Sequence, residues 1–475
     1  MVMGWDELLA AAVPGTARRS GGGAGEDHTA AVLDAAAIHA VLRRAGREPE
    51  PAVPAQSPMP PEPRPVLPGR HWVDGDRDPI DLYLQMLGER GIVAAPEAVA
   101  TLLMELWNHP ELRRWLPVLG VAGPWLAEHR DIWAFARAGS EDDDVAWREG
   151  NARDRTEWFR LHCERDSELA ATLLADVLTG RGTRPELRAD LITAFATSPG
   201  PLPASEREAV LECGLDDRAP SVRAATVDGL IGISAPAYVA RTVERAERWI
   251  TIEPPTRRAP ATITVAIPPD LTDEDHRDGI APHQPRSRDP QHAWLAALPL
   301  SWWQQRSGGL APHLLVGADI EGIAPLDLRA AWARRAAADV ASDWAYALAA
   351  SNWHLGAQVA HALQPGDADA LGREALGHGD DGLAFLAALP HPWPPRLLGA
   401  FLRRLPTFAE QRRRWMPIVE RIGREADLRA AALLPDDVVG GPQATGTLNR
   451  ARATLDWRSR LTSALDALDR AERSA

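Results

Sequence analysis

The side chains best suited to chemistry fall in three places, none with the spacing of a familiar reaction centre. His354, Gln358 and His361 recur at i, i+4 and i+7 in an otherwise apolar stretch, which puts them on one face of a helix. The two imidazoles then lie about 10 Å apart along the axis, too far to chelate one metal ion directly. Hydrogen-bonded lining between helices is the first reading, and the rim of a small-molecule pocket the second. A second set, Asp270, Asp273, Glu274, Asp275, His276, Asp278 and Gly279, gathers the hard oxygen ligands that calcium or magnesium takes. Its spacing departs from that of an EF-hand and lacks the later Glu. A solvated acidic loop is expected, with a cation site as the alternative. The third set is cationic: Arg403, Arg404, Arg412, Arg413, Arg414, Arg421 and Arg424, diluted by Glu410, Glu420 and Glu425. Guanidinium forks match carboxylates and phosphates. A salt-bridged helix face is the first reading, and a surface for an anionic partner the second.

The familiar catalytic signatures are missing. A phosphate cradle of the Walker type needs a Lys after its glycines, and all 52 basic residues are Arg. H-E-x-x-H, paired Cys-x-x-Cys and G-x-S-x-G do not occur, which removes the common zinc, redox and hydrolase motifs. Cys163 and Cys213 have neither metal spacing nor a disulfide framework, and buried thiols are expected. No catalytic residue, metal or cofactor is assigned, and a protein that is not an enzyme is expected. A net charge of −14 and a pI near 5.5 argue against the phosphate backbone of nucleic acid as main partner.

The elements that would carry these residues are helical. Residues 1–47 read as an N-terminal helical segment, and 48–70 as a proline-rich strap, because a chain so dense in proline cannot donate hydrogen bonds. Residues 71–250 read as HEAT-like helical pairs. Ala170, Leu173, Leu174, Val177 and Leu178 lie on one helical face, and Leu187, Leu191, Ala194 and Phe195 repeat the pattern after Pro185. Residues 251–292 form an irregular, proline-rich, acidic insertion with one strand-like alternation at Ile263, Val265 and Ile267. This insertion is the first place to look for a binding segment, since long loops are often functional. Helices resume over 293–475. The fold class is therefore all-α: an α-solenoid with a second helical region and a short insertion, possibly containing β-structure. The 18 Trp against 6 Phe and 3 Tyr are expected to fill gaps between Ala-rich helices. The run Trp344–Gly366 has no charged residue, yet its Asn352, His354, Gln358 and His361 suit a buried helix better than a membrane span. Without a cationic leader and apolar run at the N-terminus, a cytoplasmic protein with no membrane contact is expected.

The stretch Ala209-Val-Leu-Glu-Cys-Gly-Leu-Asp-Asp-Arg-Ala-Pro-Ser-Val-Arg-Ala-Ala resembles a HEAT repeat. Asp216 or Asp217 matches the Asp of that family's inter-helix turn, and Val222-Arg223 its Val-Arg pair. The resemblance implies a structural role in stacking for these positions. More widely, Leu33-Asp-Ala-Ala-Ala, Arg64-Pro-Val-Leu-Pro and Leu298-Pro-Leu-Ser-Trp-Trp are similar to an uncharacterised bacterial family of unknown function. Its genes often lie beside those of SWIM zinc-finger, MoxR-type AAA+ ATPase and von Willebrand factor A proteins. That resemblance implies an accessory or adaptor to an ATPase system, with a protein partner and no site residues to carry over. A HEAT-like nucleic-acid-binding or DNA-processing protein is the alternative.

Overall fold

The computed structural model describes residues 61–62, 64–67, 77–137, 147–180, 182–198, 200–280, 293–405, 408, 412–435 and 442–474. The chain divides into two units, Met1–Pro61 and Glu62–Ala475, and every element named below belongs to the second. The N-terminal helix and nearly all of the proline-rich strap expected from the sequence lie outside the described residues. So do the acidic run 141–144 and the last part of the insertion, 281–292.

The described part is mostly helical. Its first group holds β1 (Val66–Leu67), α1 (Arg77–Glu89), β2 (Val93–Ala94), α2 (Pro96–Asn108), a 3-10 segment (Pro110–Leu119), α3 (Ala122–Ala127) and another 3-10 segment (Asp131–Ala136). Ala98, Val99, Leu102, Leu103 and Leu106 give α2 one buried stripe. The sequence expects an α-helix over Glu111–Leu119, but the chain there is 3-10 with Pro117 inside it.

Next come α4 (Ala152–Arg165), α5 (Ser167–Thr179), α6 (Pro185–Thr197), α7 (Ala204–Glu212), α8 (Pro220–Gly232) and α9 (Pro236–Trp249). The insertion supplies β3 (Ile250–Glu253), β4 (Thr262–Val265) and α10 (Asp273–Arg277). A 3-10 turn (Ala293–Ala297) leads to α11 (Leu300–Arg306), α12 (Pro312–Val316), β5 (Asp319–Glu321), α13 (Pro325–Asp339), α14 (Ser342–Ser351) and α15 (Trp353–Val359). Then follow α16 (Pro365–Ala375), α17 (Gly379–Ala388), α18 (Pro395–Arg404), α19 (Arg412–Glu425) and α20 (Pro442–Ser474). Proline opens α2, α6, α8, α9, α12, α13, α16 and α18. Its fixed φ suits the first turn, where the missing N–H would be idle anyway.

Alternate helices lie side by side. One row runs α4, α6, α8, the 293–297 turn, α13, α15, α17, α19 and α20. The opposite row runs α5, α7, α9, then α12, α14, α16 and α18. A single apolar core runs from Trp158 to Leu455 between them. A second core lies under α1–α3, and Trp457, Leu461 and Leu465 of α20 complete it. The last helix thus belongs to both cores.

Between α9 and α13 the strand-like alternation becomes a strand. β4 pairs antiparallel with β3, Ile263 opposite Ile252, and parallel with β5, Ile263 beside Ile320. The uncharged run Trp344–Gly366 is two helices, not one. The Asn352 side chain accepts from the His354 and Leu355 N–H groups, 2.9 and 3.1 Å, and so caps α15. Among the described residues, no helix is long and apolar enough to cross a membrane.

Candidate functional site

In the acidic segment of the insertion, Asp275 and Asp278 are buried beside a buried Arg245. Thr272 and Asp275 form a capping box that starts α10: Asp275 N–H donates to Thr272 Oγ1, and the Thr272 N–H and hydroxyl donate to Asp275 Oδ2. Gly279, at φ +82°, turns the chain so that Ile280 enters the core. A β-carbon at Gly279 would meet Val227 Cγ2 at 2.8 Å, so the segment presses its backbone onto α8.

The facing side of α9 carries Tyr238, Arg241, Thr242 and Arg245 at helical spacing. Arg245 Nε donates to Asp275 Oδ1 and Arg245 Nη1 to Asp278 Oδ2, both at 2.7 Å. Arg241 makes a fork on the Asp278 carboxylate at 2.9 and 3.1 Å, and its Nη2 also reaches Glu212 Oε1 at 2.7 Å. Tyr238 donates its hydroxyl to the Asp278 carbonyl at 2.8 Å. Arg277 returns the contact, giving 2.8 and 3.2 Å bonds to Asp216 in the 3-10 turn Cys213–Asp216 after α7. The side chains of Arg245 and Asp278 are only 4% and 1% exposed, so these charges are held by one another and not by water.

Burial alone would raise the Asp275 carboxyl, but the bonds from Thr272 and Arg245 hold it below the usual carboxylate range. Asp216 is lowered by the hydrogen bond from Arg277. Beside the clamp lies a cleft of about 320 Å³ lined by Arg241, Arg245, Arg248, Thr272 and Glu274, among others. Asp275 and Asp278 are therefore clamped by arginines, whereas Asp270, Asp273, Glu274 and His276 stay exposed, as expected of a solvated acidic loop. Sequence reading found its acids and missed Arg241 and Arg245, although their i, i+4 spacing on an amphipathic helix was the available signal. Among the described residues no group of His, Cys, Asp and Glu has the arrangement of a metal site.

The polar stripe is dispersed. Gln358 stands on the rim of a cavity of about 390 Å³, with Ala293, Ala296, Ala330, Ala331, Ala337, Asp327 and Arg334. His361 contacts the Ala337 carbonyl through Nε2 at 3.0 Å. His354 is exposed at the start of α15 and lies off the cavity.

The arginine set is divided between two helices of opposite rows. Arg403 and Arg404 end α18, whereas Arg412, Arg413, Arg414, Arg421 and Arg424 lie along α19. Arg403 and Arg413 are exposed, and Arg414 stands 4.0 Å from Asp380. Two of the set serve neighbouring helices. Arg404 Nη1 donates to the Leu376 carbonyl at 2.6 Å, and Arg421 Nη1 to that of Ala387 at 2.7 Å. The same device recurs at Arg329 to Val316, Arg452 to Leu434 and Arg458 to Ala426. Each guanidinium fills carbonyls that a helix leaves unbonded at or just beyond its C-terminus, where the dipole also favours a cation. Glu208 does the converse, accepting from the Ala237 and Tyr238 N–H groups at the start of α9.

The turn that resembles HEAT sequences joins two helices. Arg188 of α6 reaches Asp217 at 2.9 Å, and Asp217 accepts from the Ala219 N–H at 2.8 Å. Val222 is fully buried, and Arg223 Nη1 donates to the Asp217 carbonyl at 2.7 Å. Ala219, not Asp217, is the N-cap residue of α8. Cys163 is buried, Cys213 is half-buried and both are free; burial pushes the Cys163 thiol up to about 11, where it is no nucleophile. His391, beside α18, is pushed down to about 3 by burial and the Arg421 charge, and so stays neutral.

Fold and site together define an all-α protein whose buried charges brace one helix against another. The chain belongs to the family of unknown function DUF5691, which matches residues 7–465. No curated protein and no solved structure matches it.

Proposed function

We propose that this protein is a non-catalytic interaction scaffold or adaptor, an α-solenoid with HEAT-like pairs that acts beside a MoxR-type AAA+ ATPase. One observation carries the reading: the two rows of helices in which each helix meets mainly its neighbours. Such rows give a partner a long surface and need no catalytic centre. The bonds of Arg188, Asp217 and Arg223 support the HEAT-like reading, because they tie the turn between α7 and α8 to α6 and to α8. The fate of the polar sets points the same way, since Asp275, Asp278, Arg404 and Arg421 are spent on internal bonds. A nucleic-acid-binding reading would need those guanidinium groups free for phosphates.

The test is to mix the purified full chain with the MoxR-type ATPase of the same genome. Comigration on size exclusion and a changed ATP hydrolysis rate are expected. Separate elution at micromolar concentrations, with tagged chain recovered alone from its native host, would remove the reading.

A further inference from the structure

The clamp has the form of a ligand seated in a groove. Residues 271–280 leave the sheet after β4, cross α7, α8 and α9, and touch them mainly through charge: Arg241, Arg245 and Arg277 on one side of the balance, Glu212, Asp216, Asp275 and Asp278 on the other. Ile280 is the segment's fully buried apolar anchor. A permanent staple gains nothing from this choice, because apolar side chains of similar size hold a buried interface at least as well as ion pairs. What ion pairs add is recognition: Arg241 fixes both oxygens of Asp278, Arg245 spans Asp275 and Asp278, and only Gly fits where the backbone meets Val227. The groove thus reads a pattern: two aspartates three residues apart, then glycine, then an aliphatic side chain.

We infer that the groove on α7–α9 is a binding site for an acidic peptide of this pattern, filled in cis by residues 271–280. A partner bearing the pattern would compete with the chain's own segment. This rests on the scaffold reading and names its recognition surface.

The experiment uses the full chain carrying Asp275→Asn and Asp278→Asn, which weakens the internal ligand and leaves the groove arginines in place. A labelled synthetic peptide of residues Leu271–Ile280 is titrated against it by fluorescence anisotropy. Saturable binding is expected, at least about tenfold tighter than to the unaltered chain, and weakened as salt rises from about 0.05 to about 0.5 M. Adding Arg245→Gln should abolish it. No binding by a double variant that keeps its helical circular dichroism overturns the inference, as does equal binding to the unaltered chain. Should the double variant not fold, hydrogen exchange on the unaltered chain decides. The amides of Asp278, Gly279 and Ile280 must then exchange through a local, salt-accelerated opening, and exchange only at the rate of the α8 amides overturns the inference. Failure of the peptide with a retained ATPase complex removes the groove alone.

Discussion

The clamp on α9 and the tryptophan core around α13 solve the same problem with opposite chemistry. Around α13, Trp303 meets Trp332 edge to face, with centroids 5.2 Å apart, and Trp332 leans on Trp344 at 5.4 Å. Large rings fill the space that Ala331, Ala333 and Ala336 leave open, and the edge-to-face setting satisfies their quadrupoles. Around α9, the same chain buries carboxylates and guanidinium groups. Apolar burial is non-directional, whereas a fork of charges demands one geometry. The difference separates a region built to stay put from one built to recognise.

The sharpest way to break the comparison is Trp332→Ala. It should cost about 3–5 kcal/mol as the cavity term adds to lost burial, read as a lower urea midpoint; a loss under about 1 kcal/mol would mean the rings are not the keystone. Arg245→Met comes next, at about 3 kcal/mol, since it leaves Asp275 and Asp278 buried with one cation fewer. Its loss should be concentrated in the exchange of residues 272–280, and an equal loss across α13 would erase the distinction between the regions. Acid should act on the clamp and on the turn between α7 and α8, and not on the tryptophan core. Asp275, Asp216 and Asp217 have folded-state values below their unfolded ones, so their stabilisation is complete above the unfolded carboxylate pKa of about 4 and is lost as pH falls through the folded values. The melting midpoint should be nearly flat from about pH 7 to about pH 5 and decline below about 4, less steeply in Arg245→Met. The smallest effect belongs to Arg421→Lys, about 1 kcal/mol, because one amine cannot hold both the Ala387 carbonyl and Glu425.

Much of the fold was legible. The 3.6-residue periodicity foretold α5 and α6, and the alternation at Ile263 and Val265 foretold β4. Whatever depended on partners distant in the chain was not. Nothing local in Arg421 says that it reaches Ala387, or in Asp278 that it faces Arg241. Asn352 is the exception within reach: an Asn directly before apolar positions is a local N-cap signal, although the run around it lacks charge. The arginine cluster looked like one surface because its residues are near in sequence, although α18 and α19 occupy opposite rows.

The small sheet has one more consequence, for how the chain would behave if cut. β4 bonds to β3 at the start of the insertion and to β5 after it, and the 293–297 turn packs on α8 and α13. Protease cleavage between Val265 and Asp319 would sever the backbone without parting its ends. The two fragments should travel as one particle in native buffer and separate only in detergent, so a nicked preparation would pass for intact by every sizing method that leaves the fold alone.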